Sequence, residues 1–248
     1  TRPEWALADM AILSLGAVTV PIYFSGTSEE MAYIINDSKA SVLWVEEETV
    51  RDRWLSIQKE CPTLKHVIGF SDLKNRQGES SLLIEWENLL SIGKETLSKD
   101  PTLFERSCSE LKLDQLATIA YTSGTTGDPK GVLIHHRQIV SEVTDISNAL
   151  FLTSNEVSLT VLPFSHLLGR VEHWAHVSIG FQMAYADGLE RIPECLKEIQ
   201  PTLFVGVPRI FEKMYSRIRT KVAVSALQEK LLDWSVEVSK TVSHCYRA

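Results

Sequence analysis

The spacing of apolar residues at the start of the chain predicts a helix followed by a buried strand. Trp5, Ala8 and Ile12 recur at three- and four-residue intervals, which is typical of a helix with one apolar face. A proline precedes this pattern and Gly16 follows it, which suits the start and the end of a helix. Residues 18–23 are then largely apolar, and we interpret them as a buried strand.

The same unit of helix and strand repeats along the rest of the chain. Predicted helices cover residues 29–36, 49–59, 136–150 and 193–199, and predicted strands cover residues 42–45, 66–70, 116–121, 156–162, 182–185 and 202–205. We expect a short strand and helix within residues 82–97, and polar connecting segments at 71–81 and 98–114. Alternating strands and helices predict an α/β fold of layered parallel sheets flanked by helices.

A soft boundary near Leu116 divides the chain into a first α/β lobe, residues 1–115, and a second, residues 116–248. The second lobe ends in apolar stripes at helical spacing, which predict core-facing helices. A surface helix that touches lipid is the less favoured alternative, because the polar face is mixed in charge. The stripes contain Phe211, Met214, Ile218, Val222, Leu227, Leu231, Trp234, Val238 and Val242.

The composition is that of an ordinary globular protein. The chain has 248 residues, of which 44% are hydrophobic and 23% charged, and its net charge is -7. The acidic balance argues against a nucleic-acid partner. The most apolar window, residues 10–24, is shorter than the roughly 20 residues of a spanning helix. Four well-separated cysteines favour a reducing compartment. We therefore expect a cytoplasmic protein, with peripheral membrane contact as an alternative.

The densest candidate chemistry lies in residues 121–131, Tyr-Thr-Ser-Gly-Thr-Thr-Gly-Asp-Pro-Lys-Gly. Its glycines let backbone N–H groups converge on an anion, and its hydroxyls and Lys130 add donors, so the stretch can cradle phosphate. The alternative is an ordinary hairpin turn. Apolar residues 132–134 follow, where a Walker A loop would open a helix, so we predict a turn between two strands.

This stretch, with the valine after it, resembles the phosphate-binding signature of the AMP-forming acyl-CoA synthetases, within the adenylate-forming superfamily. The resemblance implies the incomplete N-terminal domain of such an enzyme. It also implies that Lys130 is catalytic and that Thr122 holds Mg²⁺. The implied phosphate-binding residues are Thr122, Ser123, Gly124, Thr125, Thr126, Gly127 and Lys130.

Further motifs extend the resemblance. Residues 2–5 and 15–23 are similar to an early part of these enzymes. Leu-Pro-Phe-Ser-His-Leu-Leu-Gly-Arg, residues 162–170, implies that His166 is a catalytic-site residue beside the substrate carboxylate and the acyl entrance. The alternative is a histidine that caps a helix. Gly-Val-Pro-Arg-Ile-Phe-Glu-Lys, residues 206–213, resembles the long-chain enzymes, although Arg209 alone is also consistent with a surface arginine.

Two pairs of histidines are candidate metal ligands, but the pattern around neither pair favours a metal site. His173 and His176 lie one helical turn apart, but without a third ligand at a recognisable spacing they favour packing. His135 and His136 would point to opposite faces of a strand. The family pattern nevertheless implies that this second pair lies near the nucleotide.

The resemblance implies an ATP-dependent ligase that activates a long-chain fatty acid as the acyl-adenylate and transfers it to coenzyme A. Its partners would be fatty acid, ATP, coenzyme A, Mg²⁺ and a missing remainder of the polypeptide. The family's Tyr-Gly-x-Thr-Glu, its later Thr-Gly-Asp and its C-terminal lid lysine are not found here. We therefore expect these 248 residues alone not to complete the reaction. The alternatives are a nucleotide-binding scaffold and an enzyme for another carboxylic acid.

Overall fold

The computed structural model describes residues 1–70, 83–122, 128–186 and 188–247. Helices and short strands alternate along this part of the chain. The helices are α1 Pro3–Ser14, α2 Ser28–Ser38, α3 Glu48–Ile57, α4 Trp86–Lys99, α5 Leu103–Ser109, α6 His136–Leu150, α7 Leu167–Ile179, α8 Ile192–Ile199, α9 Pro208–Val222 and α10 Ala226–Arg247. The strands are β1 Val42–Val45, β2 His66–Gly69, β3 Leu83–Glu85, β4 Leu116–Thr122, β5 Lys130–His135, β6 Val157–Thr160 and β7 Gln182–Tyr185.

The strands form three small sheets. β1, β2 and β3 are parallel neighbours in that order, and β6 pairs in parallel with β7. β4 and β5 form an antiparallel hairpin. Helices follow or precede each parallel strand, as the alternating sequence pattern requires. The predicted α/β class is confirmed.

Two predicted strands are each reduced to a single backbone bridge. Within residues 18–23, Thr19 pairs in parallel with Thr118 of β4, and Pro21 shortens the ladder because it has no N–H to donate. Within residues 202–205, Leu203 pairs with Ser158 of β6. Both predictions of regular strands were therefore wrong, although both segments lie beside a sheet.

The predicted connecting segment at residues 98–114 contains a helix, α5. Asp100 accepts hydrogen bonds from the backbone N–H of Thr102 at 3.3 Å and from the guanidinium of Arg106 at 2.6 Å. The carboxylate thus satisfies the N–H of the N-cap residue, and a negative charge is favourable at a helix N-terminus. This local bonding stabilises the start of α5 within a polar, charged stretch.

Three buried clusters hold the elements together. The first joins α2, α3 and the β1–β2 pair, and it includes Ile35, Val45, Trp54 and Val67. The second joins α1, β4, α6 and α7 through Leu13, Ala117, Val143, Val171 and Trp174. The third holds α8 and α9 against the segment after β6 through Leu162, Ile192 and Ile210.

The prediction that the C-terminal apolar stripes face the core was wrong for most of their residues. α10 packs against α9, and a helix is covered only along the strip that faces its neighbour. Ile210 and Met214 of α9 contact the third cluster. The exposed apolar side chains are Phe211, Ile218, Leu227, Leu231, Trp234, Val238 and Val242. Among the described helices, none combines the length and the apolar content needed to cross a bilayer.

Candidate functional site

The β4–β5 hairpin presents the predicted phosphate-binding stretch. Tyr121 pairs with Gly131 and Thr122 with Lys130, so the two strands stay antiparallel up to Thr122 and Lys130. This confirms the predicted strand-to-strand arrangement. Five of the predicted phosphate-binding residues, Ser123, Gly124, Thr125, Thr126 and Gly127, lie outside the described residues.

The structure brings Thr122 and Lys130 together at the base of that turn. They are direct cross-strand partners, and directly opposed residues project from the same face of an antiparallel pair. Both side chains are exposed. The hairpin therefore presents a hydroxyl and an ammonium group side by side at the ends of the paired strands.

Gly131 is required by the packing of the hairpin. A Cβ atom at this position would lie 2.8 Å from Cγ2 of Ile119 and 3.2 Å from Cζ of Tyr121. The first of these distances is shorter than real Cβ contacts, so a larger residue would force Ile119 or the neighbouring backbone to shift. The glycine after Lys130 thus allows close packing against β4.

Tyr121 anchors the end of β4 to α2. Its hydroxyl donates a 2.6 Å hydrogen bond to Oδ2 of Asp37, and its ring meets Tyr33 edge to face at 6.4 Å. Burial and the Asp37 carboxylate raise the pKa of Tyr121, so the phenol stays protonated and keeps donating at neutral pH. These contacts with α2 therefore fix the C-terminal end of β4.

His166 is the N-cap residue of α7, but its side chain makes no capping hydrogen bond. Its Nδ1 atom instead lies 3.4 Å from the hydroxyl of Tyr23, and the two rings meet edge to face at 4.9 Å. Gly169 allows the first turn of α7 to pack closely against the segment before it. A Cβ atom at this position would lie 2.8 Å from the carbonyl oxygen of Pro163. The predicted site residue thus has a polar partner, Tyr23, that the sequence reasoning missed.

His166 also borders a cavity of about 820 Å³ whose lining is mainly apolar. Its walls come from the segment after β6, the first turn of α7, the region around α8, and α9. Apolar lining residues include Leu162, Leu167, Ile192, Val207, Ile210 and Met214, and the cationic ones are Arg209, Lys213 and Arg217. Arg209 lines the cavity and is still largely exposed, with its Nη1 3.4 Å from Oε2 of Glu212.

The histidine pairs occupy different surroundings. His173 is fully buried, with Nε2 3.7 Å from Oδ2 of Asp9, and desolvation lowers its pKa to about 4. His176 contacts the carbonyl oxygen of Phe181. His135 ends β5 and His136 begins α6, so the expected strand alternation of this pair was wrong. The pairs are explained by packing and by helix initiation.

A buried polar network behind His166 was not predicted. Arg170 of α7 is fully buried and donates through Nη2 to Oδ1 of Asp9 in α1 at 2.6 Å. Trp174 donates its indole N–H to the other Asp9 oxygen at 3.1 Å. His166 and Arg170 both lie in the motif of residues 162–170, but the partner Asp9 is 161 residues away in the chain. Local patterns carry no signal for such a contact.

Comparison with known proteins identifies relatives over nearly the whole chain. A family model described as AMP-binding enzyme matches residues 1–243. Long chain acyl-CoA synthetase 2 of Arabidopsis thaliana is 31% identical over 246 residues, which are 94% of this chain and 36% of that protein. The long-chain-fatty-acid–CoA ligase ACSBG2 of Homo sapiens is 30% identical, covering 97% and 36%. The chain therefore spans about a third of the length of these relatives.

Solved structures share the fold at lower sequence identity. The chain resembles a putative long-chain-fatty-acid CoA ligase from Rhodopseudomonas palustris, with a TM-score of 0.67 and 16% identity over 87% of this chain and 50% of that one. It also resembles the N-terminal domain of FACL13 from Mycobacterium tuberculosis, with a TM-score of 0.69 and 21% identity over 86% and 49%. Since the family model covers residues 1–243, the chain belongs to the family of AMP-binding enzymes.

Proposed function

We propose that this chain is part of an ATP-dependent ligase that activates a long-chain fatty acid as its acyl-adenylate and then transfers the acyl group to coenzyme A. The observation that carries the proposal is the hairpin that pairs Thr122 with Lys130, together with an apolar cavity bordered by His166. The names of the relatives, which are long-chain acyl-CoA synthetases and ligases, support the same reaction.

In the first step, a fatty carboxylate attacks the α-phosphorus of ATP and pyrophosphate leaves. The chain's contribution is to position the reactants and to stabilise the charge that grows on the leaving group. Lys130 supplies a cation for the outer phosphates, and the turn residues Ser123, Gly124, Thr125, Thr126 and Gly127 supply backbone and hydroxyl donors. The reaction requires no nucleophilic side chain.

Mg²⁺ fits the exposed hydroxyl of Thr122. This ion takes oxygen ligands, usually one or two carboxylates together with phosphate oxygens and water. The hydroxyl of Thr122 would supply one oxygen, and the phosphate oxygens and water would supply most of the others. Bound there, the ion would share the charge of the leaving pyrophosphate.

Tyr23 and His166 suit the task of orienting the carboxylate. His166 borders the mainly apolar cavity, and the Tyr23 hydroxyl contacts its ring, so the two side chains offer a carboxylate neighbouring polar groups at the edge of the apolar lining. In the second step the coenzyme A thiol attacks the acyl carbonyl and AMP leaves. We assign these two residues to the acid side of the site and Lys130 to the phosphate side.

The cavity suits an acyl chain. Its volume of about 820 Å³ lies within the range of roughly 300–1,000 Å³ that is usual for small-molecule sites. Each buried methylene contributes about 0.8 kcal/mol through the hydrophobic effect, so a longer acid gains affinity until the cavity is full. The substrate class of the proposal is therefore a long-chain acid.

Peripheral contact with a lipid surface is also part of the proposal. It is supported by the exposed side chains of Phe211 and Ile218 on α9, a helix that also lines the cavity. Co-sedimentation of the chain with lipid vesicles tests this contact.

The reaction is tested by fatty-acid-dependent ATP–pyrophosphate exchange in the natural polypeptide that contains this sequence. We expect exchange with palmitate to exceed exchange with acetate, with an aromatic acid and with an amino acid at equal concentration. Faster exchange with one of the other acids would replace the proposed substrate class. An absence of exchange with every acid, in a folded protein that binds ATP, would contradict the ligase proposal.

A further inference from the structure

The guanidinium of Arg170 joins three separate parts of the molecule to α7. Its Nη2 atom donates to Asp9 of α1 at 2.6 Å and to Oγ1 of Thr19 at 2.9 Å. Its Nη1 atom donates to Oγ1 of Thr118 in β4. All four residues are buried. One side chain therefore fixes α1, the segment after α1, and β4 relative to one another.

The hydroxyls of Thr19 and Thr118 connect Arg170 to the backbone of the two segments. Thr118 donates its own proton to the carbonyl oxygen of Thr19 at 2.7 Å, and Thr19 donates to the carbonyl oxygen of Ala117 at 3.4 Å. Each hydroxyl thus accepts from Arg170 and donates to the opposite backbone. This closed arrangement reinforces the single Thr19–Thr118 bridge, where a regular strand ladder does not form.

Both members of the Tyr23–His166 pair are attached to this arrangement by short covalent paths. Tyr23 follows Thr19 by four residues, and His166 precedes Arg170 by one helical turn, with the Arg170 N–H donating to the His166 carbonyl at 3.3 Å. β4 continues for four residues from Thr118 to Thr122. The Arg170 guanidinium therefore holds the segments that lead to Tyr23 and His166, on the acid side of the proposed site. It also holds the strand that leads to Thr122, on the phosphate side.

Stability alone does not account for a buried arginine of this kind. Nε of Arg170 has no hydrogen-bond partner among the described residues, and the cost of taking a charge out of water can exceed what its pairing returns. Asp9 by itself would complete a simple ion pair. The additional bonds to Thr19 and Thr118 indicate that the fork shape of the guanidinium is used to set geometry.

We propose that Arg170 is a positioning residue for acid activation, which holds the Tyr23–His166 pair in a fixed arrangement relative to the β4 strand that leads to Thr122. This inference rests on the proposed function. Arg170 acts through other residues and has no role in contacting substrate. Its loss should therefore misplace the reacting groups while the fold persists.

The test compares Arg170→Lys with Glu172→Gln, a change of another buried charged residue on the same helix. Glu172 accepts hydrogen bonds from Ser158 and Thr160 of β6, and burial raises its pKa, so glutamine resembles its protonated form. At matched folded fraction by circular dichroism, we expect Arg170→Lys to lower kcat for pyrophosphate exchange by about 100-fold, because a misplacement of about 1 Å can have that effect. We expect Glu172→Gln to change it by less than about threefold, since that side chain lies outside the network. Equal losses in the two variants would overturn the proposal.

A second pair of variants covers the case in which Arg170→Lys does not fold. Thr118→Val removes one acceptor of the guanidinium, whereas Thr118→Ser keeps the hydroxyl. We expect the valine variant to lose kcat and the serine variant to retain it. Tyr23→Phe should lower kcat in the wild-type background but add less than about a twofold effect to Thr118→Val, because coupled residues are not additive. Independent, multiplying effects would contradict the proposal.

A structural readout separates this inference from the proposed function. In the 248-residue chain, the nuclear Overhauser effect between the rings of Tyr23 and His166 should be lost in Arg170→Lys or Thr118→Val and kept in Glu172→Gln. If the wild-type protein were inactive, loss of the contact in Arg170→Lys and Thr118→Val would still support the positioning network, and only the ligase reaction would be overturned. A contact that survives the Arg170 and Thr118 changes would overturn the positioning role even in an active enzyme.

Discussion

Lys130 is the single residue whose removal tests the phosphate side of the site most directly. It begins β5 beside Thr122, and its side chain is exposed. Lys130→Ala should weaken ATP binding by about 1.5–3 kcal/mol, the usual value of a hydrogen bond to a charged group, which is roughly a 10- to 150-fold change in Kd. Calorimetric titration of the chain with ATP and Mg²⁺ measures this change.

Lys94→Ala is the matched control for that substitution. Lys94 lies on the exposed surface of α4, and alanine is compatible with a helix, so the variant loses the same charge without approaching the hairpin. We expect it to bind ATP as the wild type does. Equal affinities for wild type and Lys130→Ala would remove Lys130 from the proposed site.

His173 makes the stability of the chain dependent on pH. Burial lowers its pKa to about 4 in the folded state, against about 6.5 in the unfolded chain. Because the unfolded chain takes up the proton first, this contribution is complete above pH 6.5 and is lost as the pH falls toward 4. Between pH 7.5 and 4.5 the loss should be about 2–3 kcal/mol in the free energy of unfolding.

Urea unfolding of wild type and His173→Gln at both pH values isolates this effect. The neighbouring Glu172 changes stability in the opposite sense, because burial raises its pKa, but it is present in both proteins and cancels in the comparison. We expect the glutamine variant to lose less stability on acidification than the wild type. Identical losses would mean that His173 is not held neutral by the fold.

At the scale of elements, the local pattern of apolar residues was sufficient to predict the bounds of a helix or strand that is determined by its own sequence. β1, β7 and α6 have the predicted bounds, and α2 differs from the prediction by one residue at its start and two at its end. Residues 18–23 and 202–205 could not be predicted in the same way, because each forms one bridge whose partner is distant in sequence. The same reason explains why the motif around His166, which includes Arg170, is visible in the sequence, whereas the contacts of His166 with Tyr23 and of Arg170 with Asp9 are not.

The start of α2 shows how few residues can define an element boundary. Thr27 accepts a hydrogen bond from the Glu30 N–H at 3.2 Å, and Glu30 accepts one from the Thr27 N–H at 3.0 Å, which together form a capping box. Thr27→Ala should lower the free energy of unfolding by about 1 kcal/mol. Ser28→Ala, one position further on, has no part in the box and should change it by less than about 0.5 kcal/mol in urea unfolding. A larger loss for Ser28→Ala would contradict this account of the boundary.

At the scale of the whole molecule, α1 connects the two halves of the chain. Leu13 belongs to the cluster formed by β4, α6 and α7, and Asp9 bonds Arg170 and Trp174 of α7. We propose that residues 1–115 and 116–248 form two lobes and that α1 packs on the second. In the proposed site, Tyr23, which follows α1, contacts His166, which precedes α7. Order in α1 is therefore a condition for order in the site.

The terminal helices contribute differently to the molecule, because their apolar side chains are mostly outside the core. Leu231 and Trp234 are 55% and 66% exposed, whereas Leu159 of β6 is fully buried. Leu231→Gln and Trp234→Gln should each change the free energy of unfolding by less than about 0.5 kcal/mol, while Leu159→Ala should cost about 2–5 kcal/mol. The two glutamine variants should also bind less of a hydrophobic dye than the wild type, since an exposed apolar patch has been removed. Urea unfolding and dye fluorescence measure both effects. If either glutamine variant destabilised the chain as much as Leu159→Ala, α10 would have to be packed into the core in solution, as the sequence pattern predicts and the structure contradicts.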